Sequence, residues 1–165
     1  MHRTIEPAIL YFGTPVALIS TVNVDGSPNL APMSSAWWLG WTCMLGLGQA
    51  GQTSDNLIRT RECVINLPSE DLATQVDRLA LTTGKNPVPE RKREWGYEYE
   101  PDKFGVSGLT PIRSEAVNPP RVRSAHRQAA RGRKPPDRRG PSSTYRSGAL
   151  AAFDDELLPL LWIGR

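Results

Sequence analysis

The sequence predicts a mainly β domain with short helices, and three observations lead there. Pro15 opens Val16-Ala17-Leu18-Ile19-Ser20-Thr21-Val22, a β-branched run that reads as a buried strand. Asn23-Val24-Asp25-Gly26 then supplies residues suited to a tight turn, which folds this strand back onto a second one over 28–38. Two further short apolar runs, Thr42 to Leu47 and Glu62 to Leu67, have strand length, and Pro68 closes the second.

The remaining elements follow in chain order. Ile5 to Phe12 reads as a short helix with Pro7 in its first turn and Gly13 as its stop. Leu39-Gly40-Trp41 is a second turn, and Thr53 to Thr60 a short helix. Ser69 caps another helix, with Glu70 and Asp71 in the first turn, Leu72, Val76, Leu79 and Ala80 as its apolar stripe and Gly84 as its stop. From Lys85 to Glu100 the chain is charged and broken by Pro87 and Pro89, a surface excursion that is a solvated loop unless it serves as a lid or dimer arm. Asp102-Lys103-Phe104 and Gly108-Leu109-Thr110-Pro111 bring it back to the body.

With 165 residues the chain holds one domain with a core of its own. Cys43 and Cys63 lie in apolar runs without Cys-x-x-Cys spacing, which favours buried thiols in a reducing compartment over a disulfide. The N-terminus carries no secretory pattern and no run reaches membrane-span length, so a cytoplasmic protein is expected. Charge is divided unevenly. Residues 1–120 carry ten basic and thirteen acidic groups, a net of −3, whereas 121–165 carry ten basic and four acidic, a net of +6.

One stretch has the make-up of a ligand site. Leu30 to Trp38 is a strand of small and hydroxyl-bearing residues ending in two tryptophans. Beyond the next strand, Gly48 to Gly51 leads into a helix start at Thr53-Ser54-Asp55-Asn56. Small side chains let backbone amides approach a flat ring, and a helix start offers unpaired N–H groups and partial positive charge to a phosphate. A phosphorylated planar ligand fits both halves. The same spacing also describes an ordinary β-hairpin followed by an N-capped helix. Trp37, Trp38 and Trp41 read as core and interface filler in preference to a stacking platform.

The run from Thr21 to Ser35 (TVNVDGSPNLAPMSS) resembles the flavin reductase-like, FMN-binding split-barrel family. The likeness continues through Gln52-Thr53-Ser54-Asp55-Asn56-Leu57, Glu62 to Leu67, Asp102-Lys103-Phe104, Gly108-Leu109-Thr110-Pro111 and Pro119-Pro120-Arg121-Val122. It implies a homodimeric, six-stranded Greek-key split barrel with flavin near the subunit interface. Carried over residue by residue, Ala31, Pro32, Met33, Ser34 and Ser35 lie along the isoalloxazine and ribityl chain, and Thr53 and Asn56 hold the phosphate. Gln52 stands where the family often has lysine, which removes a charge-assisted phosphate contact. The implied cofactor is FMN, with FAD as the alternative, and NAD(P)H is the co-substrate. Only His2 and His126 are histidines, and no catalytic triad or metal-ligand set is expected. Hydride transfer between nicotinamide and flavin needs orientation more than an acid–base pair, so no catalytic side chain is assigned.

After Val122 the pattern departs from the family. Residues 1–122 read as the N-terminal portion of the split-barrel domain, 123–148 as a basic, disordered or aberrant segment, and 149–165 as a short apolar segment with an amphipathic helix over 149–162 interrupted at Pro159. Arg, Pro, Gly, Ala and Ser dominate 123–148, as GC-rich coding DNA yields in the wrong frame, and a barrel lacking later strands has an open edge. The leading expectation is an FMN-binding oxidoreductase moving hydride between NAD(P)H and flavin. The alternatives are a remnant that binds flavin without turnover, or a binder of nucleic acid or acidic partners through the basic tail. The tail offers only Tyr145 and His126 for base stacking, so nucleic acid is not the expected partner.

Overall fold

The computed structural model describes residue 6 and residues 13–39, 42–123, 125, 127–131 and 160–163. The expected helix over 5–12, the turn at Gly40-Trp41 and most of the basic segment therefore lie outside the described residues.

The central strand is β1 (Ala17–Val22), flanked by β2 (Pro28–Met33) on one side and β5 (Cys63–Leu67) on the other, both antiparallel. The β1–β2 register runs from Ala17 opposite Met33 to Val22 opposite Pro28. The hairpin between them is fixed by Asp25, whose carboxylate accepts bonds from both the hydroxyl and the amide of Ser27. Those bonds, the side-chain one first, hold the Asp25 carboxyl below its ordinary range. Gly26 takes a positive φ of 86°, which a side chain would strain.

Because β1 lies in mid-sheet, its two faces feed two cores. Ala17 and Ile19 pack with Cys43, Leu45, Leu47, Leu57, Cys63 and Ile65 on one side. Leu18 packs with Leu30, Leu72, Leu79, Phe104, Leu109 and Val122 on the other. That is why the β1 sequence is a continuous apolar run and does not alternate. Each fully buried Leu or Ile here contributes about 1.5–3 kcal/mol. Burial also raises the Cys43 thiol to about 11, so it is a packing group at neutral pH.

The strand expected over 28–38 is two strands in two sheets. After Met33 the chain bends at Ser34-Ser35 and resumes as β3 (Ala36–Leu39), which pairs with β4 (Thr42–Gly46). Ser35 holds the bend: its hydroxyl donates to the Gly46 carbonyl at 2.6 Å, and the Gly46 amide donates back to the Ser35 carbonyl at 2.8 Å. α1 (Gln52–Thr60) follows β4.

The helix expected from Ser69 is shorter than its apolar stripe suggests. A 3-10 turn (Glu70–Leu72) leads into α2 (Ala73–Asp77), and the chain then turns into β6 (Thr82–Thr83). The Thr82 hydroxyl and amide both donate to the Leu79 carbonyl and close that turn, so the helix ends before Gly84. Leu72 and Leu79 are buried as expected, but Ala80 is exposed.

The charged excursion is folded. It forms α3 (Glu90–Glu94) and β7 (Glu98–Tyr99), and β7 pairs in parallel with β6. α4 (Lys103–Ser107) starts at Asp102, whose side chain accepts from the Gly105 amide at 2.9 Å, and ends at Gly108 with φ 71°. β8 (Pro111–Ile112) and β9 (Arg121–Val122) form a small ribbon. The Val122 amide donates to the buried Asn66 side chain at 2.9 Å, which docks that ribbon on β5.

Two C-terminal expectations change. Arg127–Arg131, placed in the disordered or aberrant segment, is strand β10 and pairs antiparallel with β5. Ladder bonds use the main chain alone, so an edge strand forms there without an apolar period. Leu160–Ile163, placed mostly in an amphipathic helix, is strand β11 and pairs antiparallel with β4. The described strands form a four-stranded sheet, β10-β5-β1-β2, a three-stranded sheet, β11-β4-β3, and two two-stranded ribbons. These sheets are open, and a closed six-stranded barrel is not seen among the described residues.

Candidate functional site

A cleft of about 150 Å³ opens where β2, the start of α1, the β6 segment and the folded excursion meet. Ala31, Pro32 and Met33 of β2 line one wall, with Asn29 at its base. Gly48, Gly51, Gln52, Thr53 and Ser54 contribute the loop and first turn of α1. Thr82, Thr83, Gly84, Lys92, Tyr97 and Lys103 complete it from the opposite side.

The helix start is pinned by a buried polar network. The Asn56 amide donates to Thr21 Oγ1 at 3.0 Å and to Asn23 Oδ1 at 2.8 Å, and its oxygen accepts from Gln52 Nε2 at 3.0 Å. Asn29 Nδ2 bridges Thr21 Oγ1 at 3.1 Å and Thr53 Oγ1 at 3.0 Å. Arg59 adds a bond to the Val22 carbonyl. Together these tie α1 to the β1–β2 hairpin, so the direction of the α1 N-terminus is set by the sheet. Gly51 is the N-cap and gives no side-chain cap; the first amide bond back to it comes from Asp55 at 3.1 Å. The N–H groups of Gln52, Thr53 and Ser54 therefore precede the helical ladder. Thr53 Oγ1 accepts from Asn29 and keeps a proton to donate.

Gly84 allows the opposite wall to approach closely. A Cβ there would lie 2.8 Å from Asn29 Oδ1 and 3.2 Å from Gln52 Cγ, and Asn29 is already held by its two bonds.

The charged groups around the cleft are mostly cations. Lys85 pairs with Asp55 of α1. Lys92 Nζ lies 3.4 Å from Thr83 Oγ1, over the Tyr97 ring at 5.4 Å. Burial lowers its pKa most, with Lys85 acting the same way and Asp55 opposing. Lys103 is 3% exposed and donates to the Thr82 carbonyl at 3.1 Å. Burial first, then Lys92, pulls Lys103 down to about 8, with Glu100 opposing. Neither Lys92 nor Lys103 has a carboxylate within ion-pair distance among the described residues.

Of the residues assigned from the resemblance, Ala31, Pro32, Met33, Gln52 and Thr53 line this cleft. Ser34, Ser35 and Asn56 are not among its lining residues. Ser35 is engaged in the β2–β3 bend. Asn56 is fully buried with its amide and oxygen both bonded inside the protein, where it positions the helix. The sequence reading missed Lys92, Tyr97 and Lys103. Lys103 lies in the family-like Asp102-Lys103-Phe104 run, which marked the place; Lys92 and Tyr97 had only a charged excursion to announce them.

The comparisons agree with this architecture. The flavin reductase like domain model matches residues 9–130. The uncharacterised protein YdfE of Bacillus subtilis (strain 168) is 44% identical over 121 residues, 73% of this chain and 58% of that one, so the chain spans under two thirds of this relative's length. Flavoredoxin of Desulfovibrio vulgaris (Miyazaki F) superposes with a TM-score of 0.67 at 19% identity, covering 99% of this chain and 73% of the other. The FMN-binding domain of a flavin reductases-like enzyme from Shewanella baltica OS155 gives 0.58 at 14% identity, covering 73% and 58%. At such identities the two structures speak for the fold. The family match spans most of the chain, and it coincides with the strand-and-helix-start cleft built above: this chain belongs to the flavin reductase-like family.

Proposed function

We propose that the chain is an FMN-binding oxidoreductase of the flavin reductase type, a cytoplasmic enzyme moving hydride between NAD(P)H and flavin. The observation that carries this reading is the junction of a small-residue strand, Ala31 to Met33, with the open first turn of α1 in one cleft. The residues present fit a flavin phosphate. Three amides precede the helical ladder, Thr53 has a proton to donate, and the cationic side chains of the cleft favour an anion. Bound flavin supplies the two-electron chemistry, which is why the cleft needs no acid–base pair. Ala31, Pro32 and Met33 would support the ring, while Gln52 and Thr53 would meet the phosphate end.

A homodimer is part of the proposal. Trp37 and Trp38, expected as core or interface filler, are 45% and 41% exposed on β3 at the edge of its sheet. Large aromatics at a sheet edge favour coverage by a second copy. Trp41 lies outside the described residues.

The test is the purified chain with added FMN, followed by absorbance for NADH and NADPH consumption. Turnover that depends on flavin supports an enzyme. Bound flavin without nicotinamide oxidation leaves the remnant reading in its place. Gln52→Lys is expected to tighten FMN by about 1 kcal/mol by adding a charge-assisted contact, with riboflavin unchanged. Equal changes for both ligands would place residue 52 away from the phosphate.

A further inference from the structure

The charged excursion between β6 and β7 adds nothing to either core. No residue from Gly84 to Asp102 is buried, and the second core passes from Leu79 directly to Phe104. Its two ends are held side by side. The Glu98 amide donates to the Leu81 carbonyl and the Glu100 amide to the Thr83 carbonyl, both at 2.9 Å. Beyond that line, residues 85–97 hold themselves together. The Trp95 and Tyr97 amides donate to the Lys92 carbonyl at 3.1 and 3.0 Å, and Arg93 pairs with Glu90 at 3.2 Å. The Arg91 guanidinium lies 4.7 Å from the centre of the Trp95 ring. A segment bonded within itself and joined to the body along one line can move as a unit, without opening a core.

The side-chain contacts that fasten this unit to the rest of the chain are polar. Lys85 pairs with Asp55 of α1, their side chains 36% and 41% exposed. Lys92 Nζ reaches Thr83 Oγ1 at 3.4 Å. Lys92 and Tyr97 also line the cleft, so the unit forms part of its wall. We propose that residues 85–97 are a hinged lid on the cleft, latched to α1 by the Lys85–Asp55 ion pair, whose release opens the cleft to solvent and ligand. The hinge and latch stand on the geometry alone; only the passage of a flavin through the opening rests on the function proposed above.

The strength of the latch suits a lid. An ion pair this exposed is screened by salt and weak, so its loss changes the closed-to-open ratio only about two- to fivefold. The closed lid keeps water from the cleft, and the open lid lets a ligand pass. The latch also separates a lid from a direct electrostatic effect on the ligand. Asp55→Asn removes a negative charge beside the cleft and Lys85→Gln a positive one. Direct action on an anion would move its release rate in opposite directions in the two variants. Loss of a latch moves both in the same direction.

The experiment measures the distance between spin labels on the full chain, one on the lid at Glu94→Cys and one on α1 at Ile58→Cys. Both positions are exposed, whereas the native Cys43 and Cys63 are buried. Without ligand, a longer second distance should appear. Its population should rise about two- to fivefold in Asp55→Asn and in Lys85→Gln, with no further rise when the two are combined. Added salt should raise it in the parent and have much less effect in the variants. Added FMN should return the labels to the shorter distance, and stopped-flow release of FMN should be about two- to fivefold faster in both single variants. One unchanging distance in the parent and both variants, at low and high salt, would overturn the proposal and leave the flavin reading standing. Release rates that move in opposite directions would overturn it too. Latch-dependent distances in a chain that binds no flavin would support the lid and overturn the flavin reading instead.

Discussion

Asn56→Ala is expected to lower the unfolding free energy by about 2–3 kcal/mol, read as a shift of the urea midpoint at constant slope. The side chain is fully buried and joins helix to hairpin through Thr21, Asn23 and Gln52. Its loss leaves the Asn23 oxygen without that donor and frees the first turn of α1 from the sheet. Buried networks of this kind cost more to break than to leave unbuilt. FMN binding should weaken as a consequence of the loosened turn, and riboflavin binding with it. A variant with the original midpoint and a loss confined to FMN would return Asn56 to the phosphate, where the family likeness places it.

Leu79→Ala is expected to lower the unfolding free energy by about 2–5 kcal/mol. Leu79 is fully buried in the core beneath β2 and also forms part of the cleft. Its carbonyl receives both the amide and the hydroxyl of Thr82, so the side chain anchors the turn that carries Thr82 and Thr83 to the cleft. Truncation opens a void against Leu18, Leu30 and Phe104 and lowers both stability and flavin affinity. Leu81→Ala, two residues along but 55% exposed, should stay within about 0.5 kcal/mol of the parent. Similar losses in both variants would mean that burial does not set the difference.

Local chemistry made part of this molecule readable. The β1 run, the Asp25-Gly26 turn and the Cys63–Leu67 strand are specified by side chains close in sequence, and they formed within a residue or two of expectation. The Ala31 to Met33 wall and the α1 start were legible for the same reason. The break at Ser34-Ser35 was not, because it depends on bonds to Gly46, whose pairing with β3 is tertiary. Asn56 looked like a ligand residue by its place in a motif, whereas its partners Thr21 and Asn23 lie across the fold. The excursion read as solvated because its charges are many. Its parallel pairing with β6, and the burial of Lys103 under Thr82, come from contacts that no periodicity reports. Likewise β11 owes its conformation to β4, more than a hundred residues earlier in the chain.

The proposed function requires the cleft between β2 and α1 to hold FMN. Its most direct test is the absorption spectrum of the purified, folded chain after incubation with FMN and removal of free ligand, with flavin quantified on denaturation. A stoichiometric flavin band is the predicted result. A folded chain that retains no flavin at any ratio of FMN offered would contradict it.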